Sequence, residues 1–144
     1  MNQDQNQITY KISYISRILK RHIDQETYKY GLTVEQGRTI LYLHAHKDES
    51  IHLTDLENVF HLRKSSLTSL INNLEKNGYV NRVLSKSDLR LKRIELTELG
   101  EEKVQLLLQS FKDGENKVRE GLSEDESSIL LDLLNKVSNN VNNF

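Results

Sequence analysis

The sequence of 144 residues contains no cysteine and no proline. The lack of cysteine excludes disulfide bonds, thiolate catalysis and a thiol redox switch within the chain. Because proline is absent and only 6 glycines interrupt the chain, little in the sequence breaks long helices. No apolar run approaches the roughly 18–20 residues that span a bilayer, and the polar start MNQDQNQ does not resemble a signal peptide. We therefore expect a mostly helical, cytoplasmic protein.

Motifs that carry catalysis or bind metals are also missing. The sequence has no glycine-rich phosphate-binding loop and no clustered nucleophile, base and orienting group. His44 and His46 are two residues apart, which directs them to different faces of a helix, so we expect no shared metal ion. We expect neither an enzyme nor a cofactor.

Charge is unevenly distributed along the chain, although its total is only −1. Residues 1–59 have 7 basic and 8 acidic side chains, residues 60–97 have 8 and 3, and residues 98–144 have 5 and 10. The net charges are therefore −1, +5 and −5. A polyanionic partner would meet the middle segment, unless that segment is only a solvated basic surface.

Two helices are predicted before the basic segment. Apolar residues recur at three- and four-residue steps in residues 8–23, and Gly31 stands where a C-terminal cap is expected. Thr33 and Gln36 form a capping-box pattern that opens a second helix, which ends near His46. Both helices therefore have an apolar face that requires a packing partner.

A helix-turn-helix is predicted next. After a brief alternation at residues 51–53 that favours a short strand, Thr54 and Glu57 form a capping-box pattern for a two-turn helix ending near Phe60. The turn at residues 61–63 leads into a longer helix that Gly78 closes. Its outward residues have short polar or basic side chains suited to base edges and phosphates, and they are Lys64, Ser65, Ser66, Thr68, Ser69, Asn72 and Asn73.

A hairpin is predicted over residues 80–96, where the apolar residues change to a two-residue period. Its tip, residues 85–92, is too polar for a core and suits a phosphate strand. The tip contributes Lys86, Asp88, Arg90 and Lys92. Asp88 and Arg90 lie on the same side of an extended strand, so we expect Asp88 to orient the guanidinium or brace the loop.

Two further helices are predicted after the hairpin. The first begins after Thr97 and runs to about Glu120. Gly114 and Gly121 are unfavourable for its last turns, where a bend would suit a chain that turns back. Ser123 and Glu126 form a capping-box pattern for the last helix. Its apolar face lies at a chain end and requires a partner.

The run from Leu74 to Gly100 resembles the winged helix-turn-helix of the MarR family of bacterial transcription regulators. The matching residues are Leu74, Glu75, Gly78, Tyr79, Val80, Arg82, Asp88, Arg90, Leu96, Thr97 and Gly100. The resemblance extends over the whole chain and implies a mainly helical single domain of residues 1–144. In it, residues 33–97 form the winged helix-turn-helix, and residues 8–30 and 98–142 form dimerisation helices.

The resemblance also implies a function, namely a homodimeric regulator, a repressor in preference to an activator, that binds a palindromic operator in double-stranded DNA. The helix at about residues 64–77 would enter the major groove and Arg90 the minor groove. Arg63 departs from the family, which has a small capping residue there, so either Ser65 caps a later helix start or Arg63 contacts phosphate. The competing class is a winged-helix module that binds an acidic protein and not DNA.

Two further sets of residues follow from the resemblance. The dimerisation set is Ile8, Ile12, Ile15, Leu130, Leu133, Leu134, Val137 and Val141. Members of the family respond to small aromatic or anionic effectors, and the corresponding candidates here are Tyr14, Arg17, His22, Tyr28, His44 and Phe111. Ordinary packing is the competing interpretation for each of these six residues.

Overall fold

The protein is described from a computed structural model that covers residues 7–84 and 90–143. The expected helical fold with a small hairpin is confirmed. The described elements are α1 (Ile8–Lys29), α2 (Val34–Ala45), α3 (Leu53–Phe60), α4 (Lys64–Lys76), β1 (Val80–Leu84), β2 (Lys92–Leu96), α5 (Glu98–Arg119) and α6 (Glu124–Val141). None of the helices in the described ranges is long and apolar enough to cross a membrane.

The chain divides into two compact units, Met1–Gln109 and Ser110–Phe144. The first unit encloses a core of aliphatic side chains from α2, α3, α4, both strands and the start of α5. Its fully buried members are Leu32, Ile40, Leu56, Leu67, Ile71, Leu74, Val80, Val104 and Leu107. In the second unit, no hydrophobic side chain of residues 110–143 is buried.

Several expected helix ends are confirmed. Gly31 has a φ of +75°, which is the left-handed conformation that glycine adopts without strain after the last turn of a helix. At the start of α2, the Thr33 amide donates to Gln36 Oε1 at 2.8 Å, and the Gln36 amide donates to Thr33 Oγ1 at 3.2 Å. The same reciprocal pair joins Ser123 and Glu126 at the start of α6.

The start of α3 differs from the expectation. Thr54 does not cap this helix, because α3 begins at Leu53 with His52 in the capping position. The His52 amide donates to Asp55 Oδ2 at 2.7 Å, which places the carboxylate three residues after the cap. The expected strand at residues 51–53 is only one bridging residue, His52, paired with Arg93.

The hairpin pairs antiparallel, with Val80 opposite Leu96 and Leu84 opposite Lys92. Lys92 therefore lies in β2 and not in the tip, which corrects the expected boundary. Lys86 and Asp88 lie outside the described residues. Helix α5 continues through Gly114 to Arg119, and Gly121 with a φ of +85° follows its end.

Candidate nucleic-acid interface

Helix α4 separates a buried face from a polar one. Leu67, Ile71 and Leu74 are fully buried and anchor the helix in the core of the first unit. Because a helix turns 100° per residue, the side chains farthest from that trio recur at steps of four, three and four residues. They are Ser65, Ser69, Asn72 and Lys76, and all four are exposed.

The remaining expected contact residues of α4 flank this outer face. Lys64, Ser66 and Asn73 are exposed, and Thr68 is half-buried. Lys76 was not among the contact residues predicted from the sequence, although its position four residues after Asn72 places it on the same face of the helix. Helix α4 therefore presents short polar side chains with a lysine in its last turn.

The start of α4 decides between the two alternatives for Arg63. The helix begins at Lys64 with Arg63 in the capping position, so Ser65 does not cap a later start. The Arg63 side chain makes no capping hydrogen bond, and the first turn contains no acidic residue. The free amide groups of a helix start favour an anion, and the two exposed cations Arg63 and Lys64 add to that potential.

The turn between α3 and α4 is held by a residue in an unusual conformation. His61 has a φ of 52°, in the left-handed region that histidine adopts more often than most non-glycine residues. It lies at the C-terminal end of α3, and its amide donates to Glu57 O at 3.0 Å. Residues 61–63 thus redirect the chain into α4 without the glycine that often occurs in such turns.

An ion pair between an arginine and a glutamate connects α4 with the hairpin. Arg82 on β1 forms an ion pair with Glu75 through Nη1, and its Nη2 donates to Asn72 Oδ1 at 2.8 Å. Glu75 is the one acidic residue of α4. Its pairing with Arg82 reduces the repulsion that an isolated carboxylate would exert on a phosphate backbone.

The basic residues of the hairpin have different surroundings. Arg90 and Lys92 are exposed, as a contact to phosphate or to a groove requires. Arg93 is half-buried, and its Nε lies 2.6 Å from Glu95 Oε1. Among the described residues of the segment 60–97, the exposed basic side chains are therefore Arg63, Lys64, Lys76, Arg90 and Lys92.

The base of the hairpin is fixed by Thr97 and Gly100. Thr97 Oγ1 donates to Gly78 O at 2.5 Å and accepts from the Gly100 amide at 3.0 Å, so one hydroxyl joins the end of α4 to the start of α5. A Cβ atom at Gly100 would lie 2.1 Å from Tyr79 O, so only glycine allows this approach. These contacts explain why a threonine and a glycine stand at this point of the winged-helix pattern.

The six candidate effector residues are placed as follows. Tyr14 is exposed on α1, where it stacks on Tyr10 with a centroid distance of 6.4 Å and lies 5.6 Å from the Arg17 guanidinium. His22 and Tyr28 are exposed, and His44 Nδ1 lies 2.7 Å from Glu101 Oε2. Phe111 is half-buried in the second unit. Three cavities found in the described chain are lined by other residues.

The dimerisation candidates are accessible in the single chain. Ile8, Ile15, Leu130, Leu133, Leu134 and Val141 each have between 43% and 66% of their surface exposed. Ile12 and Val137 are half-buried. The candidates on α6 recur at helical spacing, so they form an exposed apolar face on that helix.

Comparisons with known proteins agree with this arrangement of a helix-turn-helix and an antiparallel wing. YdgJ of Bacillus subtilis, an uncharacterised HTH-type transcriptional regulator, is 32% identical over 74% of this chain and 62% of its own length. BilQ of Clostridioides difficile, an HTH-type transcriptional regulator, is 24% identical over 94% of this chain and 90% of its own.

Solved structures give the same result. MepR, a transcription regulator of the Staphylococcus aureus multidrug efflux pump MepA, has a TM-score of 0.85 at 27% identity, covering 94% of this chain and 98% of that one. The S. aureus MepR–DNA complex has a TM-score of 0.76 at 28% identity, covering 92% and 98%. The fold and the site therefore define a winged helix-turn-helix protein of the MarR type.

The family is defined more narrowly by the match of residues 21–107 to the model described as transcriptional regulator SarA/Rot. The chain belongs to this family of transcriptional regulators. Among the comparisons, nothing favours the alternative of a winged-helix module that does not bind DNA.

Proposed function

We propose that this protein regulates transcription by binding a specific sequence of double-stranded DNA, with α4 in the major groove and Arg90 in the minor groove. The observation that carries the proposal is the outer face of α4, where Ser65, Ser69, Asn72 and Lys76 are exposed and the single carboxylate of the helix is paired. Small polar side chains on a helix of this kind reach base edges, and the flanking cations bind phosphate. The solved MepR–DNA complex supports the same use of the fold.

The proposal includes a homodimer and repression of transcription. The exposed aliphatic faces of α1 and α6 support association, since a second copy of each face would cover them. Two-fold symmetry then predicts a palindromic operator with half-sites separated by about one helical turn, roughly 34–36 Å. A dimer bound there would exclude polymerase from an overlapping promoter.

Selection of bound sequences from random duplex DNA tests the proposal. We expect a palindromic sequence that the protein binds at least about 10³-fold more tightly than random duplex at physiological salt. Equal affinity for selected and random duplexes would contradict sequence-specific binding. Light scattering on the same sample measures the mass, and a monomer bound to a single half-site would contradict the dimer.

Replacing the wing arginine tests the assignment of contacts. Arg90→Ala should weaken operator binding and lower the slope of log affinity against log salt by about 1, because one phosphate or minor-groove contact is lost. The mass of the dimer should not change. Lys47→Ala is the matched control, since Lys47 is an exposed basic residue outside the segment of positive charge. Equal salt slopes for Arg90→Ala and wild type would contradict the wing contact.

The proposed effector is a small aromatic molecule. S. aureus MepR, at 27% identity and a TM-score of 0.72, has been solved bound to ethidium bromide, and the exposed Tyr10–Tyr14 pair with Arg17 offers stacking to such a ligand. A panel of aromatic anions and cations should contain a compound that raises the melting temperature of wild type and weakens operator binding. Tyr14→Ala should abolish both effects, and their retention would exclude Tyr14 from the site.

A further inference from the structure

Arg82 makes a contact with Asn72 that the proposed DNA-binding function does not use. It lies on β1, and its side chain has only 22% of its surface exposed. The Nη1 atom of its guanidinium forms an ion pair with Glu75, and the Nη2 atom donates to Asn72 Oδ1 at 2.8 Å. Because Asn72 and Glu75 are three residues apart on α4, both face the same arginine. The planar guanidinium presents its N–H donors in a fixed geometry that matches two acceptors, whereas a lysine ammonium is a point charge on a flexible stem.

This contact fixes the orientation of the Asn72 amide. A carboxamide has one acceptor oxygen and one nitrogen with two donor hydrogens. The guanidinium offers only donors, so the Asn72 oxygen must face Arg82, and the reversed amide would oppose two donors. The Asn72 nitrogen therefore points away from Arg82, and Asn72 is exposed on the outer face of α4.

We propose that Arg82 is a positioning residue that makes Asn72 a donor towards DNA and so determines which base it reads. Free asparagine pairs with adenine by using both amide atoms, with its oxygen on the N6 amino group and its nitrogen on N7. Here the oxygen is held by Arg82, so that bidentate pairing is disfavoured. The remaining nitrogen carries two donor hydrogens, and guanine presents two adjacent acceptors for them, O6 and N7, whereas adenine presents only N7. The arrangement therefore favours a G·C pair. The inference rests on the proposed function, because it concerns the specificity of the same helix.

Sequence selection with the full-length protein and its variants tests this inference. In wild type, one position in each half-site should favour a G·C pair, and Asn72→Ala should abolish the preference at that pair alone. Arg82→Met removes the donor but keeps an apolar side chain of similar length. It should shift the preference at the same pair towards adenine by roughly tenfold, the discrimination of one bidentate contact.

Different failures of this experiment are distinguishable. If wild type selects no sequence, the proposed function itself is wrong. If wild type selects a sequence and Arg82→Met retains the same base preference, whether or not its binding is weaker, Arg82 does not determine the base that Asn72 reads and the inference is overturned. If the base preference of Asn72→Ala is the same as that of wild type at every position, the inference is overturned as well.

Folding of the variants is checked by circular dichroism and thermal melting. If Arg82→Met does not fold, the selection with wild type and Asn72→Ala still decides the inference. An A·T pair at the position that depends on Asn72 would overturn it, and a G·C pair there would support it.

Discussion

The two compact units of this chain use the same helical pattern but differ in what covers their apolar faces. In the first unit, Leu67, Ile71 and Leu74 recur on α4 and are fully buried. In the second unit, Leu130 and Leu134 recur on α6 with the same spacing, yet 43% and 44% of their surfaces are exposed. Periodicity alone therefore identifies an apolar face without showing whether the same chain buries it.

The difference predicts two kinds of stability. The first unit has its own core, so much of its folding free energy comes from contacts within one chain. A short helical hairpin without buried aliphatic side chains gains little from its own packing, because isolated helices of this length are marginal in water. The second unit has an apolar groove of about 150 Å³ lined in part by Val118, Leu122 and Leu130. In the proposed dimer, a second chain covers apolar surface of this unit.

The largest effect is expected from a charge on the exposed face of α6. Leu134→Asp would place a carboxylate in the apolar face of the proposed dimer, where its desolvation opposes association. Light scattering should show a monomer, and operator affinity should fall about 10²–10⁴-fold with the loss of bivalent binding. Asn139→Asp, on the opposite side of the same helix, should leave both unchanged. A dimer formed by Leu134→Asp would place the dimer surface elsewhere.

A smaller effect is expected from a cavity in the core of the first unit. Leu74→Ala should lower the free energy of unfolding in urea by about 2–5 kcal/mol, because Leu74 is fully buried. The matched control is Leu84→Ala on β1, where 54% of the leucine surface is exposed. That change should cost no more than about 0.5 kcal/mol. Equal losses for the two variants would contradict the assignment of the core to α4.

Much of the fold was predictable from the sequence because its signals are local. The caps at Gly31, Thr33 and Ser123 and the period of the hairpin each depend on neighbours within a few residues. The error at α3 arose because a capping pattern is short and degenerate. Thr54 with Glu57 satisfied it, although the helix begins at Leu53.

The candidate site was less predictable, since its details depend on contacts between distant elements. The exposed polar face of α4 followed from its period, but the bond between Arg82 and Asn72 joins residues ten positions apart on a strand and a helix. No pattern in α4 indicates which strand residue will face it. The start of α4 also required the structure, because Arg63 is not a capping residue by type.

The smallest effect is expected from removing one helix cap in each of the two units. Thr33→Ala and Ser123→Ala each remove the side-chain oxygen of a capping box, at a cost of about 0.5–2 kcal/mol. Because α2 packs in the core of the first unit, Thr33→Ala should lower thermal stability and leave the dissociation constant of the dimer unchanged. If α6 is stabilised by association, as proposed, Ser123→Ala should raise that constant roughly 2- to 30-fold, the equivalent of this cost, as measured by sedimentation at several concentrations. Equal effects of both changes on the dissociation constant would show that the two units do not differ in how far their stability depends on association.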